Sequence, residues 1–118
     1  MSTTDYDASL VTPYPLIHQG KVLDSFAIDD DHMLSVGSDR LSAFYVVMDE
    51  PIAGKGEILT QIANFWFDRT EHIVPNHMAG IEVAEVIVDT ALLEVMEKGS
   101  VVVKRLKPLP LEAIVRGY

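Results

Sequence analysis

One stretch limits the architecture of this chain more than any other. After a loop marked by Pro51, Gly54 and Gly56, the residues Ile58, Leu59, Ile62, Ala63, Phe65, Trp66 and Phe67 recur at helical spacing. The spacing predicts a helix beginning at Glu57, with Arg69 and His72 near its negative pole and Pro75 ending it. The Phe65, Trp66 and Phe67 face is expected to anchor the core. The other segments are shorter and mostly β-branched. Residues 22–28 and 33–36 read as a hairpin around the turn-forming Asp29, Asp30 and Asp31. Residues 43–48, 81–88, 101–106 and 111–115 read as further strands, the last two separated by Lys107, Pro108, Leu109 and Pro110. Asp89 or Thr90 caps a second, short helix bearing Ala91, Leu92, Val95 and Met96, with Gly99 as its stop. Pro13 and Pro15 hold the entry extended. The expected fold is α+β, a mostly antiparallel sheet covered by one main helix, with residues 1–12 as a flexible leader and 13–118 as a single domain.

Composition narrows the function classes. With 118 residues, 48% of them hydrophobic, the chain can fill one modest core and is not disordered as a whole. Its net charge of −9 provides no polybasic footprint for nucleic acid or anionic membranes. A small anionic ligand is compatible with it, because local lysines and backbone amides can oppose the global sign. The absence of cysteine removes disulfide scaffolds, thiol chemistry and Cys-ligated metal sites. Residence in the cytoplasm is expected.

General motifs do not assign a chemistry. The phosphate loop GxxxxGK[ST] is missing, and Gly54-Lys55-Gly56 does not extend to GxGxxG because Leu59 takes the third glycine's place. His18, His32, His72 and His77 lack i,i+4 pairing, and the three aspartates at 29–31 lack the rest of a calcium loop. No metal site is expected.

Several collinear strings resemble one family. Gly20-Lys21-Val22 with Asp24 is similar to the GKVRD element of SAICAR synthetase (phosphoribosylaminoimidazole-succinocarboxamide synthase). Ser38-Asp39-Arg40-Leu41-Ser42-Ala43-Phe44 resembles its SDRLSAFD segment, and Pro51-Ile52 with Gly54-Lys55-Gly56 its PIPGKG. The helix from Leu59 to Phe67, Pro75-Asn76-His77, and the terminal run from Val101 through Tyr118 complete the match. The resemblance implies a lobe whose antiparallel sheet covers ATP, in an enzyme that joins aspartate to the carboxylate of CAIR with ATP and magnesium in purine biosynthesis. It also implies that a second, catalytic lobe is not included in these residues.

Carried over position by position, the resemblance makes Gly20 and Lys21 a phosphate-covering turn and Lys104 a strand lysine facing the phosphates. Leu106 to Glu112 become the segment bordering adenine, and Arg116 a residue on the CAIR side. Read without the family, Lys21 is a solvated hairpin lysine, Lys104 an edge-strand charge that deters pairing, and Glu112 and Arg116 are solvent-facing polar residues. Two positions depart from the pattern. Leu23 stands where the family has arginine, losing a bidentate oxyanion ligand, and Tyr45 stands where it has aspartate. Two readings follow. The first is the nucleotide-binding lobe of a ligase, inactive by itself. The second is a non-catalytic fragment, engineered or diverged, that folds as a homo-oligomer or serves another binding role, with residues 111–116 as its exchangeable element.

Overall fold

The computed structural model describes residues 13–44 and 46–117. The expected leader, residues 1–12, and Tyr45 lie outside them. Four strands make an antiparallel sheet in the order β1 (Leu16–Gln19), β2 (Leu23–Ala27), β3 (His32–Gly37) and β6 (Ser100–Lys104). The 29–31 turn closes the β2–β3 hairpin as the sequence predicts: the Asp29 carboxylate accepts from the backbone N–H of Asp31 and of His32, both at 2.8 Å. Leu23 pairs with Gly37 and Ala27 with Met33, so the hairpin is in register throughout. β6 ends the sheet, paired with β3 on one side. Its outer edge is covered locally by residues 77–79, where Val103 bridges Met78 and the Lys104 N–H donates to the His77 carbonyl at 2.7 Å, so Lys104 does not border an open edge.

Strand alternation separates two faces. Phe26, Leu34, Val36 and Val102 point to one and are buried there with Val83, Ile87 and Met96. Four segments differ from the sequence reading. Residues 81–88 form no strand, because Glu82 and Glu85 make a reciprocal capping box that starts a short helix, α2 (Val83–Val86). That turn places Val83 and Ile87 four residues apart on one buried side, so β-branched residues serve a helix here. Residues 43–48 are not one strand but a two-stranded ladder, β4 (Ser42–Ala43) with β5 (Val46–Val47). Residues 111–115 make no strand and are exposed, whereas β1 forms from residues expected only to be extended.

The long helix, α1, runs Lys55–Thr70, two residues earlier than expected. The short helix α3 (Thr90–Met96) is capped as expected by Asp89, which accepts from the Leu92 N–H at 3.0 Å. A 3-10 turn (Glu97–Gly99) then leads into β6. The expectation that Phe65, Trp66 and Phe67 anchor the core is wrong: Phe65 and Trp66 are about half exposed, at 48% and 57%. The core forms instead on the opposite face of the sheet, against α2 and α3. The fold remains α+β with an antiparallel sheet and one main helix. Among the described residues, no helix is long and apolar enough to cross a membrane.

Candidate functional site

Three consecutive residues of the β3–β4 connection tie the hairpin turn, the sheet and α1 together. Ser38 donates through Oγ to the Val22 carbonyl at 2.7 Å. Asp39, fully buried, accepts from the N–H groups of Gly54 at 3.1 Å and Gly56 at 2.8 Å, and so caps the positive end of α1. Arg40 reaches the opposite way. Its guanidinium holds both oxygens of the buried Asp24 carboxylate, at 2.7 and 3.3 Å. The same group donates to the carbonyls of Gly20 at 3.3 Å and Lys21 at 3.1 Å. The Gly20 N–H closes the turn on the Leu23 carbonyl at 2.7 Å. The Gly20–Lys21 turn is therefore fixed from beneath by an ion pair.

Gly56 lets α1 start against the sheet. A Cβ there would sit 2.6 Å from the Gly37 carbonyl oxygen, too close for any side chain. Because Asp39 occupies the Gly54 and Gly56 amides, and the Lys55 N–H is bonded to the Ile52 carbonyl, the Gly54-Lys55-Gly56 loop is not an open phosphate cradle.

Beside this junction, between α1 and the sheet face opposite the core, lies a cleft of about 330 Å³. Leu23, Leu59, Ala63, Phe67 and Val101 make its apolar walls, with Ser35, Ser38, Thr60 and Asn64 as polar points. Lys55 and His77 are the ionisable groups lining it. Burial holds His77 below its ordinary pKa, favouring the neutral ring, which meets Phe67 edge-on at 5.2 Å. Leu23 thus faces a cleft.

None of the sequence candidates lines this cleft. Gly20 and Lys21 are not among its lining residues; they immediately precede Val22 and Leu23, which are. Lys104 pairs with His32, whereas Gly37, nearest the Gly20–Lys21 turn, is five residues along β3, roughly 16 Å away at strand rise. Alternation also places Lys104 on the Val102 side, away from the cleft. Leu106, Glu112 and Arg116 follow in an exposed segment without regular structure. Lys21 and Lys104 therefore do not converge. Sequence reasoning missed Lys55 and His77 as cleft residues, and missed that Ser38, Asp39 and Arg40 hold the site together. All five lie in the quoted strings, but a carboxylate capping a helix from a distant loop leaves no local pattern.

Residues 16–118 match the SAICAR synthetase family. The chain belongs to that family. It is 56% identical over 110 residues to the phosphoribosylaminoimidazole-succinocarboxamide synthase of Thioalkalivibrio sulfidiphilus, covering 93% of this chain and 37% of that protein. It is also 56% identical over 116 residues to the synthase of Methylobacillus flagellatus, covering 98% of this chain and 39% of that protein. Among solved structures, it resembles a SAICAR synthase with TM-score 0.79 and 29% identity, over 90% of this chain and 38% of that one. The Saccharomyces cerevisiae SAICAR synthase complexed with SAICAR matches with TM-score 0.75 and 29% identity, over 85% of this chain and 36% of that one. The chain thus corresponds to an N-terminal portion of a SAICAR synthetase, less than two fifths of its relatives' length.

Proposed function

We propose that this chain is the nucleotide-binding portion of a cytoplasmic SAICAR synthetase, which joins aspartate to CAIR with ATP and magnesium. The cleft between α1 and the sheet, whose lining residues Val22 and Leu23 follow the clamped Gly20–Lys21 turn, carries the reading. Its apolar walls suit a flat base or sugar edge, while Lys55 in the lining and Lys21 in the turn that precedes it supply charge for phosphate. Because Lys104 lies at the far end of β6, the phosphates belong at the Gly20–Lys21 end. Leu106 and Glu112 then border the adenine end, and Arg116 extends toward CAIR. Among the described residues no group of three or more His, Asp or Glu could hold a metal. A magnesium ion here would be carried mainly by the ATP phosphates and water rather than by a protein cage.

Binding of a phosphate ester to a preformed cleft raises the melting temperature with ligand concentration, by about 2.7 kcal/mol of stability at a hundredfold excess over Kd. Calorimetry with millimolar ATP, with and without magnesium, is expected to show a dose-dependent rise. No shift would favour the second reading, a non-catalytic homo-oligomer. That reading draws support from exposed Leu106, Leu109, Leu111, Ile114 and Val115, which offer an exchangeable segment. A monomer in sedimentation at micromolar concentration would end it.

A further inference from the structure

α1 is apolar on two sides. The side towards the sheet carries Gly56, Thr60, whose hydroxyl donates to the Gly99 carbonyl at 3.1 Å, and Asn64, together with the cleft residues Leu59, Ala63 and Phe67. The side facing away carries Ile58, Ile62, Phe65 and Trp66, exposed by 59%, 50%, 48% and 57%. Phe65 and Trp66 meet edge-on at 5.1 Å, and the Arg69 guanidinium covers Phe65 at 4.6 Å. A helix normally buries its apolar stripe and leaves its polar side in water. Here four side chains over the nine residues from Ile58 to Trp66, roughly 12 Å of helix, present a continuous apolar ridge to solvent.

We propose that this ridge is the docking surface for the polypeptide that follows the matched portion in full-length SAICAR synthetases. The inference rests on the reading of the chain as part of that enzyme. Its relatives extend well beyond the match, which covers only 37% and 39% of their lengths. The size of the ridge selects this occupant over a second copy. A stable complex of separate molecules buries about 800 Å² on each partner, more than four half-exposed side chains supply. A segment joined to the same chain docks at high effective concentration, so a small apolar ridge suffices. The ridge also adjoins the cleft, because Leu59 and Ala63 of the same helix line it. The docked segment therefore borders the cleft along α1.

The chain has no cysteine, so Ile62→Cys introduces a unique thiol on the ridge, and Asp30→Cys one on the exposed β2–β3 turn. Maleimide labelling, read by peptide mass spectrometry, is compared between the 118-residue chain and the same chain continued by the remainder of the Thioalkalivibrio relative. Labelling at Ile62→Cys is expected to slow at least about tenfold in the continued chain, with Asp30→Cys unchanged. Equal rates at Ile62→Cys in the two chains overturn the proposal. Slowing within the shorter chain that grows with its concentration gives the ridge to a second copy and overturns it too. Phe65→Cys supplies the same readout if Ile62→Cys does not fold. The labelling needs no ATP, so its outcome is independent of whether the cleft binds nucleotide.

Discussion

Arg40 spends its guanidinium on Asp24 and on two carbonyls of the Gly20–Lys21 turn. The Asp24 side chain is fully buried, while Arg40 keeps about a quarter of its side chain in contact with water. Deleting the cation leaves a carboxylate in a dry site without its counterion, a loss larger than the net worth of the pair. Arg40→Ala is therefore expected to cost about 3–5 kcal/mol in urea unfolding, and to loosen the turn. A loss below about 1 kcal/mol would show that Asp24 is sustained by other groups. Leu23, three residues from the turn's glycine, matters differently. Where the family pattern has arginine, this cleft has an apolar wall.

The elements show how much was legible in the sequence. The β2–β3 hairpin was readable because alternation and a run of turn-forming aspartates agree over a few residues. The existence of α1 was readable from its period, and α3 from Asp89. What the period cannot state is which way an apolar stripe faces. The stripe of α1 is split, with Leu59, Ala63 and Phe67 toward the cleft and Ile58, Ile62, Phe65 and Trp66 outward, because Gly56 is the position that admits contact with Gly37, and that contact depends on a distant backbone. Likewise, the β-branched residues 81–88 favour a strand locally, and a capping box overrides them. In the site, the Gly20–Lys21 turn was visible as a motif, whereas Arg40's grip on it spans twenty residues. The placement of the core makes a stability contrast. Leu34 is fully buried, so Leu34→Ala is expected to cost about 2–5 kcal/mol in denaturant melts. Trp66→Ala, on the outward ridge, is expected to cost about 1 kcal/mol or less in the 118-residue chain. A larger loss for Trp66 than for Leu34 would relocate the core to α1.

At the scale of the molecule, the net charge of −9 and the partly buried cleft act on stability through protons. His77 is the cleft histidine whose burial lowers its pKa from 6.5. In the unfolded chain the imidazole takes up its proton near 6.5, while in the folded chain it does so only at lower pH. Between those two values the unfolded state holds more protons, so stability rises with pH there. The contribution is complete above 6.5 and disappears as pH falls through the lower folded value. Asp29, held below 3.8 first by the Asp31 N–H and further by His32, loses its contribution only in a more acidic range. The two effects are therefore separable. Urea melts from pH 7.5 to 5.5 are expected to show falling stability in the native chain and a flatter profile in His77→Gln. Parallel profiles would mean that the cleft admits enough water to protonate His77 in place, and that its apolar walls do not exclude solvent from the ring.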